Sequence, residues 1–207
     1  MKIIHILFIA GALTLALLPV RAATPEPEPD ALEMSIDDNL ATPAVPNKAR
    51  NYVRTAMDQL RRSLLKQGFD VVADRDGEVL EICVPCDRLF AANSTDLKTS
   101  GQQLLRPLGT LASDTRKYKI VIAVHADDTG DDQYADSITS ARANAVDDYL
   151  WQLAGRRDTN TIPYGLGRDE PRVPNNSRHN REQNRRVEIY IVPDRGLLEL
   201  AGVRRKQ

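Results

Sequence analysis

Residues 120–153 constrain the fold of this chain more than any other stretch. Ile120 to Val124 is almost wholly β-branched, the pattern of a strand covered on both faces, and it runs into a loop dense in carboxylates, with Asp127, Asp128, Asp131 and Asp132. From about Asp132 to Leu153 apolar residues return at three- and four-residue steps, through Ile138, Ala141, Ala145, Val146, Tyr149, Leu150 and Leu153. That spacing predicts an amphipathic helix, and Gly155 supplies the residue that stops it. A buried strand feeding such a helix points to helices packed on a sheet.

One charge interrupts the apolar stripe. Arg142 falls four residues after Ile138 and four before Val146, on or beside the buried side. A guanidinium there needs a carboxylate or carbonyl partner, because a lone buried charge is costly. Two readings stand side by side. Arg142 can close an internal ion pair with Asp127 that only fixes the helix, or the two charges can face a cleft and grip a zwitterion by its carboxylate and ammonium. Asn184, Arg185 and Arg186 stand where a long polar connection becomes a last strand. Alternation puts Arg185 on the face of Val187 and Arg186 opposite, one turned towards the cleft and the other towards solvent. Pairing with Glu188 or a nearby aspartate is the structural alternative.

The remaining chain is read in order. Residues 1–22 have the form of a signal peptide: Lys2, then an apolar run from Ile3 to Leu18, then small residues around Arg21. The alternative is an uncleaved anchor, although about 20 apolar residues are wanted for a span. Residues 23–47 form a Pro-rich acidic linker, expected to stay solvated. An amphipathic helix follows over 48–68, with Tyr52, Val53, Met57, Leu60 and Leu64 on one side. Phe69 to Ala73 and Glu78 to Val84 read as a hairpin around Asp74-Arg75-Asp76-Gly77. Residues 88–96 are expected as a loop. Thr99 to Asp114 reads as a helix that Pro107 should kink. Thr161 to Gly165 is a short strand, 168–183 a polar connection, and Arg186 to Val192 a last strand. A basic tail spans 194–207.

Several function classes find little support. The net charge of -1 gives no electrostatic footprint for nucleic acid. No serine, cysteine or histidine arrangement with an orienting partner suggests an enzyme. The acidic loop lacks the ligand spacing of an EF-hand. Cys83 and Cys86 form C-x-x-C, which can be structural or a disulfide, and a metal site would need distant partners such as His125 and His179. No cofactor is called for.

Three ordered blocks carry a family resemblance: LFAANSTDL at 89–97, VHADDTGDDQYADSITSARANAVDDYL at 124–150, and GLGRDEPRVPNNSRHNREQNRRVEIYIVP at 165–193. The chain resembles the OmpA-like peptidoglycan-binding domain of OmpA carboxyl-terminal domains, peptidoglycan-associated lipoproteins and flagellar stator proteins. The resemblance implies an α+β fold over 69–193, a β-α-β-α-β-β sheet-and-helix sandwich preceded by the amphipathic helix and hairpin. It implies an exported, periplasmic or outer-membrane-associated protein that binds the diaminopimelate stem peptide of peptidoglycan without catalysis and links an envelope component to the wall. In that family an aspartate and an arginine at the positions of Asp127 and Arg142 hold the diaminopimelate. Ala92 and Asn93 match a loop that lines the cleft, Arg181 takes the place of a loop arginine, and Asn184 to Val187 match N-R-R-V, which includes Arg185. The chain departs from the pattern at Val124, Ala126, Ala135 and Asn180, and Ala135 removes a hydrogen-bonding side chain. Those departures support an adaptor domain with weak or lost binding as the alternative, beside a membrane-anchored envelope or motor component. The amino-terminal helix is the expected contact for an envelope partner.

Overall fold

The computed structural model describes residues 31, 33–156 and 160–202. The expected signal peptide, the first part of the linker and the basic residues 204–206 lie outside the described residues. Five strands form one sheet: β1 (Val71–Asp74), β2 (Val79–Pro85), β3 (Tyr118–His125), β4 (Thr161–Gly165) and β5 (Arg186–Pro193). Their spatial order is β1-β2-β5-β3-β4. β3 runs parallel to β4 and antiparallel to β5, while β2 pairs antiparallel with both β1 and β5. The helices are α1 (Ile36–Ala41), α2 (Arg50–Lys66), α3 (Cys86–Leu89), α4 (Thr99–Leu105), α5 (Gly109–Ser113), α6 (Asp132–Ala154), α7 (Arg178–Asn184) and α8 (Arg195–Leu200).

The strong patterns of the sequence fold as their periodicity dictates. β3 is buried on both faces from Lys119 onward. α6 ends at Gly155, whose φ of 67° is the left-handed conformation that glycine adopts at low cost. Pro107 breaks the predicted second helix, and a 3-10 turn at Arg106–Leu108 separates α4 from α5. One sheet face presents Leu80, Ile82, Val84, Ile120, Ile122, Val124, Val187, Ile189 and Ile191 to the helices, where Val53, Met57 and Leu64 of α2 join the same core as Val146 and Leu150 of α6. Each fully buried side chain of this size contributes about 2 kcal/mol. The amphipathic helix thus packs on its own domain. Among the described residues, no helix is long and apolar enough to cross a membrane.

Four expectations are corrected. The solvated linker does not extend to residue 47: α1 lies on the opposite sheet face, where Ile36 and Leu40 cover Val79, Val121 and Val192. The cause is Lys119, a buried cation whose Nζ donates to Asn39 Oδ1 (3.1 Å) and Thr42 Oγ1 (3.2 Å). The loop at 88–96 begins inside a helical turn, α3. The polar connection at 168–183 ends in α7, which Ser177 caps by accepting from the Asn180 amide; buried Asn184 then ties both of its amide ends to the backbone of Val173. The expected tail folds as α8, which buries Leu197 and Leu198.

Candidate functional site

Asp127 stands two residues beyond β3, just before the loop that leads into α6. Its carboxylate is almost fully buried. Oδ1 accepts from the backbone amide of Thr129 at 2.9 Å and from its hydroxyl at 2.5 Å. Oδ2 accepts from Nη1 of Arg185, forming an ion pair. Burial works against ionisation here, but the Thr129 hydroxyl and amide and the Arg185 guanidinium outweigh it and hold the carboxyl below its usual range. Asp131 begins α6 by accepting from the Tyr134 amide at 2.7 Å, and Asp132 pairs with Arg168.

Arg142 lies on the buried side of α6 with 8% of its surface exposed. Among the described residues no carboxylate comes within ion-pair distance of it, Asp127 included. Its partners are backbone, ring and thiol: Nε donates to Ser94 O at 2.9 Å, Nη2 reaches Ala91 O at 3.4 Å, the guanidinium carbon stands 5.0 Å from the centroid of Phe90, and the guanidinium also hydrogen-bonds the Cys86 thiol. These partners belong to α3 and the chain that follows it. The internal ion pair that offered the bland account of Asp127 and Arg142 is therefore not what the side chains form.

Arg185 and Arg142 meet around Cys86. The Cys86 amide donates to Arg185 O at 2.9 Å. Burial pushes the Cys86 thiol up to about 11, while the guanidinium groups of Arg142 and Arg185 both act in the other direction. The side chain of Arg185 is 39% exposed against 5% for Asp127, so it forms the outer wall of the pair. Among Asp127, Arg185 and Arg142, one positive charge is uncompensated.

The other sequence candidates sit around this core to different degrees. Ala92 and Asn93 are exposed at the tip of the loop over Arg142. Asn93 has φ of 55°, and its Oδ1 accepts from the Tyr134 hydroxyl at 3.2 Å, which ties the loop to the first turn of α6. Arg181, on α7, donates to Asn175 O at 2.8 Å and holds its own connection together. Arg186 is buried and forms the pairing with Glu188 that stood as the structural alternative. Its Nε donates to Glu188 Oε1 at 2.7 Å on the far side of the sheet, in a cluster with His125, Arg172 and Tyr190. Ala135 is buried, so the missing family asparagine leaves no exposed gap. Cys83 and Cys86 are free thiols; Cys83 meets Arg172 and Cys86 lies by Arg142.

Sequence reasoning missed Thr129, Phe90 and Ser94 as site residues. Thr129 had a signal, since an aspartate two residues before a threonine commonly folds its carboxylate back onto that backbone amide. Ser94 contributes only its carbonyl, which no side-chain pattern can reveal. A cavity of about 390 Å³ lies at the other end of α6, lined by Asp148, Trp151, Gln152, Gly155 and Arg156, and shares none of these residues.

A model of the OmpA family matches residues 89–185, which contain Asp127, Arg142 and Arg185. The chain is 31% identical over 130 residues to the outer-membrane lipoprotein YfiB of Pseudomonas aeruginosa, covering 63% of this chain and 74% of that protein. It is 31% identical over 105 residues to the lipoprotein YfiB of Escherichia coli, covering 50% of this chain and 65% of that protein's length, just short of two thirds. The crystal structure of a MotB-like protein from Desulfovibrio vulgaris superposes with a TM-score of 0.60 at 25% identity, covering 70% of this chain and 98% of that one.

Proposed function

Because this chain belongs to the OmpA family and is a protein of the cell envelope, periplasmic or outer-membrane associated, we propose that it binds the peptide stem of peptidoglycan. In this reading the domain acts as a non-catalytic tether, and residues 69–193 form the binding unit. The single observation that carries it is Arg142, a buried guanidinium that the fold supplies with carbonyls, a phenyl ring and a thiol but, among the described residues, no carboxylate. Leaving a buried cation without a counter-charge costs stability, and a carboxylate from outside repays that cost with charge-assisted hydrogen bonds. Diaminopimelate brings such a carboxylate, with an ammonium on the same carbon. Arg142 receives the carboxylate, Asp127 and Arg185 form the facing wall, and Ala92 and Asn93 make the rim, with Arg181 steadying the connection behind it.

Co-sedimentation with purified sacculi tests the assignment. Arg142→Ala should reduce the bound fraction about tenfold or more, as expected for loss of hydrogen bonds to a charged group. Binding equal to that of the parent removes Arg142 from the site.

A further inference from the structure

We propose that the end of the sheet remote from Arg142 docks on an anionic lipid bilayer, with Tyr52 and Leu200 entering the headgroup region while Lys48 and the carboxyl-terminal basic residues hold the lipid phosphates. The topology sets this surface and the candidate site at opposite ends of one ladder. Asp127 follows β3, and Arg185 precedes β5, whose Arg186 pairs with His125 at the last position of β3. At the far end of the same ladder Tyr118 pairs with Pro193. The eight residues of β3 separate the two ends by about 23 Å.

Three segments converge at the far end. Lys48, just before α2, donates through Nζ to Gly202 O at 3.5 Å. Glu199 of α8 pairs with Arg116 at 2.9 Å, and the Asp194 amide before α8 donates to Lys117 O at 2.7 Å. Lys117 and Tyr118 in turn lie within electrostatic reach of the Tyr52 hydroxyl. Two large apolar side chains stand out from this corner, Tyr52 with 45% of its surface exposed and Leu200 with 57%. Arg116 and Lys117 are answered by Glu199 and Asp114. Lys48 is not: among the described residues no carboxylate pairs with it. Arg204, Arg205 and Lys206 follow Gly202 with no acidic residue beside them. Four residues of chain extend at most about 14 Å, so covalent length alone keeps these three cations within reach of the corner.

That combination fits a bilayer better than a protein face. One tyrosine and one leucine bury far too little area for a stable protein interface. A tyrosine with a polar tip, an aliphatic side chain and cations of one sign are what settles at the lipid headgroup level. Apolar insertion and charge attraction reinforce one another there, neither being sufficient alone. A chain of the cell envelope would then touch lipid at one end of its sheet and leave the Arg142 end free.

Co-sedimentation with vesicles tests this on residues 23–207, which retain every described residue. Vesicles of phosphatidylglycerol and phosphatidylethanolamine should bind about tenfold or more tightly than vesicles of phosphatidylcholine, and about 0.5 M sodium chloride should erase the difference. Each basic residue near such a surface is worth about fivefold, so Lys48→Glu with Arg205→Glu should weaken binding to the anionic vesicles about tenfold or more. Tyr52→Ser with Leu200→Ser should weaken it several-fold. Arg62→Glu with Lys66→Glu reverses as many charges at the other end of α2 and should change it by less than about twofold. Circular dichroism checks folding, and Lys48→Gln with Arg205→Gln serves if the glutamate pair does not fold. Equal binding to the two kinds of vesicle, no binding to the anionic ones, or equal losses in the two charge-reversed pairs overturns the proposal. Sedimentation with sacculi should be unchanged in Lys48→Glu with Arg205→Glu, so the stem-peptide reading fails or stands separately.

Discussion

Glu188→Gln should destabilise the protein far more than a single amide substitution ordinarily does. The Glu188 side chain is 7% exposed and lies on the sheet face away from the helical core. Four groups converge on it: His125 Nε2 at 3.2 Å, Arg186 Nε at 2.7 Å, Arg172 Nη2 at 3.3 Å and the Tyr190 hydroxyl at 2.7 Å. Burial disfavours its charge, but the hydrogen bonds from His125, Arg186 and Tyr190 dominate and hold its carboxyl well below the usual value of 4.5. Glutamine keeps the shape, yet it turns an amide nitrogen towards donors and leaves Arg186, 6% exposed, without a counter-charge. Breaking one side of a buried pair costs about 3–5 kcal/mol. In a domain of this size that corresponds to a fall in Tm of about 6–20 °C. Urea unfolding followed by circular dichroism measures it, and the midpoint should fall by about 1 M or more. A group whose folded pKa is depressed stabilises the protein fully above its unfolded pKa and loses that contribution as pH falls below it. The parent should therefore lose stability below pH 4.5, and the variant should show a shallower acid limb. A loss under about 0.5 kcal/mol with an unchanged acid limb would refute the reasoning.

Two further outcomes follow from packing and from titration. Gly165→Ala would place a Cβ 2.3 Å from Ser140 N and 2.5 Å from Ser140 Cα, both backbone atoms of α6 that cannot swing aside; thermal unfolding should show a loss of about 1–3 kcal/mol. Asp147, buried on α6 beside the Thr161 hydroxyl, is pushed up to about 6 by its burial. The folded protein then holds a proton that the unfolded chain releases near 3.8, so this group makes stability fall as pH rises from about 4 to about 6. Asp147→Asn should flatten that part of the stability profile, as read by unfolding at a series of pH values.

The parts of the fold that could be read from the sequence are those in which periodicity runs long enough to outweigh local accident. α6 spans six turns with an apolar face and a glycine stop, and β3 is a run of β-branched residues, so both were legible. The short helices were not. α1, α7 and α8 have six or seven residues each, too few to be stable in isolation. They exist because tertiary contacts hold them: Ile36 and Leu40 on the sheet, Asn184 on Val173, and Leu197 and Leu198 in the core. Their caps, Ser35, Ser177 and Asp194, were visible as residues but not distinguishable from ordinary turn chemistry. At the site, Arg142 announced itself by standing in an apolar stripe. The partner of Asp127 did not, because Arg185 is 58 residues away and precedes the strand that alternation had assigned to it. Alternation did place Arg186 opposite Val187, and its pairing with Glu188 was one of the two readings open; the closure of that face by the 168–173 segment left no signal in the pattern.

The decisive event is the contact between an incoming carboxylate and the guanidinium of Arg142. Titrating the protein with a diaminopimelate stem peptide while following the arginine Nε–H resonances reads this at the atom concerned. The Nε–H signal of Arg142, bonded in the free protein to Ser94 O, should shift saturably with peptide, and Asn93 and Ala92 amides should move with the same affinity. Saturable shifts confined to residues remote from α6 and the 91–97 loop, with the Arg142 signal unmoved, would contradict it.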